Sequence, residues 1–382
     1  VKSEQWLNAF RALGVRLMTT HVPHDLRKGL RNYWYPVLLS SDLPADKPVP
    51  MVRLGERLVA WRDANGAAAV FADACPHRRA QLSKGDITNG RLQCRYHGLQ
   101  FSRDGQCRLV PTEGIEDGAV AQRLSAVSYP TAEYGGVVFS YIGDTEVFPP
   151  PSFEPEPELD KSKWTFIVET FDWPANWLLV RDNTPDSAHL PFVHGHLAAR
   201  SSAAGKLTLE VLPGAQNPAM KPEYVLGFLE KALTVTASPR GGMLVQRDGE
   251  SIAEVEWVPP ALAKIWIDFA GKKVRQLQFE VPIDEYRTRI FCVVGIEASN
   301  DAPAEAQMAF MRNVLWPTFR QTFDEDSGIL GSQGDVEDVR EAEHLIPSDF
   351  PMIQMRRRIR RIHEEQLQRI ASARSQSAAP RG

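Results

Sequence analysis

The narrowest constraint on this chain is a set of four residues. Cys75 and His77 lie in Cys75-Pro76-His77-Arg78-Arg79; after sixteen intervening residues come Cys94 and His97, in Cys94-Arg95-Tyr96-His97-Gly98-Leu99-Gln100-Phe101. As spacing this is C-x-H, a gap, then C-x-x-H. Two thiolates and two imidazoles can hold a two-iron cluster with both cysteines on one iron and both histidines on the other. Histidine in place of cysteine removes negative charge and raises the reduction potential above that of an all-cysteine cluster. A Cys2His2 set also suits structural zinc. Zinc knuckles, however, more often space paired ligands by two to four residues, and C-x-H is tighter than that habit.

Set between short β-type segments, Cys75-x-His77 with Cys94-x-x-His97-Gly98 resembles the Rieske domain of the aromatic-ring-hydroxylating oxygenases. Arg95 and Leu99 stand where Pro and Trp are common in that family. Neither position is a ligand, so the departure bears on local packing and not on the cluster.

A chain of 382 residues is long for one domain, and two are expected. Hydrophobic residues at 43% and charged residues at 24% are those of a soluble globular protein. The net charge of −4 argues against a nucleic-acid binder. No apolar run reaches the roughly eighteen residues of a bilayer span. The first residues lack the basic-then-apolar layout of a signal peptide. Four cysteines make no disulfide framework, and two of them belong to the cluster motif. Cys107 and Cys292 read as small buried side chains, and a reducing cytoplasm is expected.

Residues 1–30 hold one amphipathic candidate helix, Trp6 to Leu13, stopped at Gly14. His21 and His24 follow in a polar loop and read as surface residues. From 31 to 150 the chain is dense in turn signals and short alternating runs. Residues 51–54, Arg57–Trp61 and Ala69–Phe71 around Asn65-Gly66 predict a hairpin closed by a type I′ turn, and further turns are expected at Asn89-Gly90 and Asp104-Gly105. Both ligand pairs then sit on loops at one end of a small antiparallel β domain, where a cluster is held firmly yet partly exposed. The stretch Pro149–Pro157 predicts a semi-rigid linker. It divides a domain at 31–150 from one at 151–355, with a basic helix and disordered tail at 356–382. Strands are expected at 163–171, 231–237, 252–258, 263–270, 274–281 and 288–296, and an irregular helix at about 174–190. Helical spacing returns at 304–330 and again at Arg356–Ala373, a solvated or subunit-contact helix. The fold class is α+β, and no internal repeat is present.

A second metal site is suggested by Asp182-Asn183-Thr184-Pro185-Asp186-Ser187-Ala188-His189-Leu190-Pro191-Phe192-Val193-His194. Two histidines five apart lie roughly 140° apart around a straight helix, but Pro191 between them should bend the segment so that both aim at one point. The plainer reading is two polar histidines near a helix end. On the 304–330 helix, Phe319, Phe323, Asp326 and Leu330 share one face, so Asp326 is an acid on an apolar stripe, with Asp324 and Glu325 off it. A buried carboxylate needs a cation or hydrogen-bond partners; a frayed, solvated helix end is the alternative. Two histidines and one carboxylate make the facial triad of non-haem Fe(II) oxygenases.

Here too the chain resembles the ring-hydroxylating oxygenases. Asn183-x-x-Asp186-x-x-His189-x4-His194 matches their N-x-x-D-x-x-H-x4-H pattern, with Asp182 for the common Glu, and Phe323-x-x-Asp326 matches their iron-binding aspartate. The likeness runs over roughly 31–345; Gly29–Pro36 and Phe279–Asp284 look closest to the phthalate and carbazole dioxygenase branch. The resemblance implies His189, His194 and Asp326 as mononuclear Fe(II) ligands, with His196 left out, and a C-terminal helix-grip catalytic domain behind the [2Fe-2S] domain. It implies a head-to-tail homotrimer in which Asp186 links His97 of the neighbouring subunit to His189, and Asn183 lines the iron site. It also implies O2 and a small aromatic substrate. Electrons would come from a separate ferredoxin or reductase drawing on NAD(P)H, since no G-x-G-x-x-G fingerprint is present. Hydroxylation, foremost cis-dihydroxylation, competes with monooxygenation including O- or N-demethylation. A Rieske electron carrier and a zinc-stabilised interaction protein are the alternatives of other classes. Residues 195–227, with Phe192 and Val193, are expected to wall the pocket.

Overall fold

The computed structural model describes residues 22–186, 188–194, 197–201, 207–211, 233–247, 255–269, 272–300 and 302–377. The candidate helix at Trp6–Leu13, His21, His196 and the last five residues lie outside them. The chain divides into two units: residues 30–159 with Val281–Asp284, and residues 22–29, 160–280 and 285–377.

The first unit is built of short antiparallel strands. Strand β1 (Tyr33–Leu39) belongs to a three-stranded sheet completed by two late strands. Four more, β2 (Val49–Arg53), β3 (Glu56–Arg62), β4 (Ala68–Ala72) and a later two-residue strand, form the second sheet. A third sheet is β5 (Asp86–Thr88), β6 (Arg91–Gln93), β7 (Gln100–Phe101) and β8 (Cys107–Leu109). The late strands are β9 (Ser128–Tyr129), which pairs with β4, and β10 (Thr131–Tyr134) and β11 (Val137–Ile142), which join β1.

Turn chemistry sets the registers. Asn89 and Gly90 both have positive φ, and Thr88 pairs with Arg91 across them, a two-residue type I′ hairpin. The β3–β4 connection differs from expectation. Only Gly66 has positive φ there, and the turn starts at Asp63, whose carboxylate accepts the N–H groups of Asn65 and Ala67. That aspartate cap makes a longer loop than Asn-Gly alone would give.

The proline-rich stretch is no free spacer. Phe153 packs edge-on against Trp34 and tilts against Phe139, the Trp34 indole donates to the Pro151 carbonyl, and Leu159 is buried. The division between the units accordingly falls after Leu159 and not near Pro150.

The second unit is a long antiparallel sheet with helices. Its strands are β12 (Trp164–Trp173), β13 (Leu197–Ser201), β14 (Leu207–Val211), β15 (Leu233–Ala237), β16 (Met243–Arg247), β17 (Val255–Val258), β18 (Leu262–Phe269), β19 (Lys272–Pro282) and β20 (Thr288–Glu297). The order is β12-β20-β19-β18-β17-β16-β15; β13 pairs with β14, which meets β18 in a single parallel contact. Nine strands among the described residues make a larger sheet than the sequence suggests: β13, β14 and β16 lie outside the six expected runs, although β14 alternates as Leu207-Thr208-Leu209-Glu210-Val211.

The helices are α1 (His24–Arg27), α2 (Trp177–Asn183), α3 (Leu190–Val193), α4 (Ala304–Phe310), α5 (Trp316–Gly331), α6 (Val336–Ala342) and α7 (Phe350–Ser377). A π-helical stretch, Met311–Leu315, joins α4 to α5 without a break just before Pro317, and its wider turn accommodates a proline that lacks the N–H a continuous α-helix would use there. One apolar core joins Trp173, Val180 of α2, Ile267, Val274, Ile290, Cys292 and Val294 to Phe319, Phe323 and Leu330 of α5. Among the described residues no helix is long and apolar enough to cross a membrane. The basic α7 is not a merely solvated helix. Its first half buries Met352, Ile353, Met355, Ile359 and Ile362, and it stays helical to Ser377, past the start of the expected disordered tail.

Candidate metal centres

The first centre rests on two loops with the same backbone pattern. Cys75 N–H donates to the Ala80 carbonyl and Arg79 N–H to the Cys75 carbonyl; Cys94 N–H donates to the Leu99 carbonyl and Gly98 N–H to the Cys94 carbonyl. Arg79 and Gly98, at equivalent places, both have positive φ. The first loop is tied down by buried Asp73, which accepts the backbone N–H and the hydroxyl of Ser83. Both cysteines are buried in a core with Leu82, Leu92, Leu99 and Phe101, whereas His77 and His97 are exposed, their ring centroids 4.6 Å apart.

Burial pushes the Cys75 thiol up to about 11, with the Cys94 sulfur adding to the rise and the backbone N–H groups of His77 and Arg78 opposing it. Two buried cysteines side by side fit a cationic centre, which deprotonates coordinating thiols outright. The leftover Cys107 and Cys292 are buried and unpaired with each other.

The second centre draws on three elements. Helix α2 starts at Asn176, whose side chain accepts the Leu178 N–H, and ends at Asn183. Residues 184–186 and 188 are not helical; Asp186 folds back to accept the Ala188 N–H on Oδ1. Pro191 does not break the segment as expected: it lies in the first turn of α3, where no N–H is required, and the bend falls before His189 instead. Asp326 comes from α5, which continues to Gly331, so it is not at a frayed end.

The side chains of His189, His194 and Asp326 bring their ligand atoms within 4.8 Å of one another. The Nε2 atoms of His189 and His194 lie 3.6 and 3.3 Å from Asp326 Oδ1. That oxygen is buried and receives no hydrogen bond among the described residues. An orphaned carboxylate oxygen facing two imidazole nitrogens is a donor set that fits a divalent iron. Asp186 Oδ2 is 3.4 Å from the other nitrogen of His189, and Asn183 is half-buried at the end of α2. Phe192 is exposed and Val193 half-buried; of residues 195–227, the structure describes only the backbone of β13 and β14. His24 is exposed beside Glu285, away from any ligand set among the described residues.

Two features escape a reading of the sequence. Glu325 Oε2 accepts from His194 Nδ1 at 2.8 Å, and the Gln321 amide, one turn earlier, donates to Glu325 Oε1. Burial pulls the His194 imidazole down, but the carboxylates of Asp326 and Glu325 at its two nitrogens outweigh it and raise it above its ordinary value. The Q-x-x-x-E spacing was a visible signal; which side of α5 meets His194 was not. Secondly, Asp182 is held by Arg356 through two hydrogen bonds of 3.0 and 2.9 Å and by Arg340 at 2.7 Å, and Arg356 also grips Glu343. Burial raises the Asp182 and Glu343 carboxyls while the Arg340 charge opposes it. The network ties α2 to α6 and α7, immediately before Asn183.

Residues 33–122 match the family described as the Rieske [2Fe-2S] domain, and residues 173–365 match the vanillate O-demethylase oxygenase C-terminal domain. The 3-chlorobenzoate-3,4-dioxygenase oxygenase subunit of Comamonas testosteroni is 37% identical over 43% of this chain and 38% of its own length. The phthalate 4,5-dioxygenase oxygenase subunit of Pseudomonas putida is 32% identical over 77% of this chain and 66% of its own length. The chain thus spans less than two thirds of these relatives. Among solved structures, Pseudomonas putida CBB5 NdmA superposes with a TM-score of 0.67 at 21% identity, covering 88% of this chain and 91% of its own. Dicamba monooxygenase bound to dicamba gives 0.65 at 20%, covering 88% and 98%; both show a shared fold. With one family's two domains matched in order along it, the chain belongs to the Rieske non-haem iron oxygenases, whose members carry a [2Fe-2S] cluster and a mononuclear iron.

Proposed function

We propose that the chain is the terminal oxygenase of a multicomponent Rieske system, using O2 and electrons from a separate ferredoxin or reductase to hydroxylate a small aromatic substrate. The observation that carries this reading is the orphaned Asp326 Oδ1 facing His189 and His194 in a chain that also bears the two cysteine–histidine loops. Cys75, Cys94, His77 and His97 would hold the cluster, a one-electron carrier. His189, His194 and Asp326 would hold Fe(II), which supplies open positions for O2 beside the substrate.

The chain's own groups do the rest. Glu325 fixes the tautomer of His194 by accepting from Nδ1, which aims Nε2 at the iron position. Asp186 has one oxygen committed to the Ala188 N–H and the other turned to His189. It would link His189 to His97 of a neighbouring copy in a homotrimer, with a hydrogen bond accepted from each. His97 is exposed, as such a contact requires. Asn183 lines the iron position.

Two reactions compete. Both curated relatives above are named as dioxygenase oxygenase subunits, which favours dihydroxylation of a ring. The match of residues 173–365 to a vanillate O-demethylase domain favours monooxygenation with loss of a methyl group. Metal analysis tests the shared reading: three irons per chain are expected, and two would leave only an electron carrier. Product analysis under labelled O2 separates the chemistries, since a dihydrodiol retains both oxygen atoms and a demethylated product does not.

A further inference from the structure

The end of the first unit that carries the cluster histidines is rimmed by unmatched positive charge. Besides His77 and His97, the exposed side chains there are Arg78 and Arg79 on the first loop and Arg95 and Tyr96 on the second. Among the described residues none of these three guanidiniums meets a carboxylate or donates a hydrogen bond. Other arginines of the same unit are matched: Arg31 with Glu56, Arg62 with Glu133, Arg91 with Glu116, and Arg108 with Asp104 and Asp117. Tyr96 is 57% exposed and lies against His97, ring centroids 3.8 Å apart. Arginine and tyrosine are the side chains that most often anchor a protein partner.

The opposite imbalance lies on the second unit, beside Asp186. Asp182 and Glu343 share the guanidiniums of Arg340 and Arg356. Asp186 and Asp349 have no lysine or arginine among the described residues. Asp186 is 32% exposed and Asp349 is half-buried. Asp349 accepts the Ile346 N–H, which holds it at the start of α7. Burial raises its carboxyl above the ordinary value against that N–H, and the charges of Asp186 and Asp182 raise it further, so these acids lie within one another's field.

An arginine rim without acids and an acid pair without a cation complement each other. Since neither is matched within the chain, a second copy is the partner that satisfies both at once. The proposed link from His97 to a neighbour's Asp186 sets the register. Arg95 is on the same loop as His97, two residues away, whereas Arg78 and Arg79 are on the other loop beside His77. Asp349 is the unmatched acid beside Asp186. We infer that Arg95 of one copy pairs with Asp349 of the next, which makes the acids around Asp186 the surface that seats the neighbour's cluster loops. This deepens the trimeric oxygenase reading and rests on it.

The test uses the iron-loaded full chain. Arg95→Lys keeps the charge and supplies an amine, which a water-soluble carbodiimide joins to a carboxylate in contact with it. Covalent dimers and trimers on a denaturing gel should exceed those of the unmutated protein, and their digest should contain a peptide pair joining positions 95 and 349. Both should vanish when Asp349→Asn is added. Independently, Arg95→Glu should raise the concentration at which the trimer dissociates, read by sedimentation on dilution, about tenfold; adding Asp349→Arg should return it to within about threefold. Absence of the 95–349 link, its confinement to the monomer band, an unchanged dissociation in Arg95→Glu, or no recovery in the exchanged pair would each overturn the inference. So would unchanged assembly with slower cluster reduction by an acidic plant-type ferredoxin, which would assign the rim to the electron donor. A monomer with three irons per chain would fail the trimer, and a count other than three would fail the oxygenase reading; a trimer with three irons and no link fails the pairing alone.

Discussion

Asp186→Asn preserves size and the turn around Ala188 but removes the charge beside His189. Iron content should stay at three atoms per chain while turnover falls by two orders of magnitude or more, as measured by substrate-dependent oxygen uptake beside metal analysis; full turnover with full iron would reject the linking role. His189→Ala acts differently. It removes one nitrogen of the triad, so two irons per chain should remain and the visible absorption of the cluster should survive. Glu325→Gln leaves all three proposed ligands in place and weakens only the support of His194. Affinity for the mononuclear iron is expected to drop about 10- to 100-fold, read by competition with a chelator, with the cluster unaffected. The cluster ligands were legible in the tight C-x-H and C-x-x-H spacing, whereas His189, His194 and Asp326 followed only from the resemblance to the ring-hydroxylating oxygenases, since two histidines five apart read equally as polar residues near a helix end. Glu325 was not legible, because its partner lies 131 positions away in sequence and the pairing depends on how α5 crosses the loop after α2.

At the scale of elements, the Asp182–Arg340–Arg356–Glu343 network holds the end of α2 where the half-buried Asn183 begins the approach to the iron position. Burial makes the carboxyls costly to keep charged, so losing one guanidinium leaves the acids poorly compensated. Arg356→Met should destabilise the protein by about 3 kcal/mol in urea unfolding, and should loosen iron binding at His189 more than at the cluster. The runs at β17 to β20 were readable from their apolar and β-branched content, and β19 and β20 prove to be buried on both faces for most of their length. The reach of α7 was not: five arginines and a histidine between 356 and 363 mask the buried Met352, Ile353, Met355, Ile359 and Ile362. Similarly, Pro191 reads as a breaker until the chain is seen to begin a helix there.

Across the whole molecule, the division into two units was visible in the change from short turn-rich strands to long alternating ones. Its boundary was misplaced because prolines at 149–157 look like a spacer when Phe153 and Leu159 in fact pack onto the first unit.

The twin ligand loops have unequal tolerance despite their common backbone. At Arg79 the left-handed conformation is carried by an exposed side chain, so glycine there should be accepted and should relieve strain. At Gly98 an added Cβ would sit 2.9 Å from the Pro111 ring, so even alanine must displace that proline. Random mutagenesis scored by the brown colour of colonies should therefore saturate position 79 with survivors and return almost none at 98.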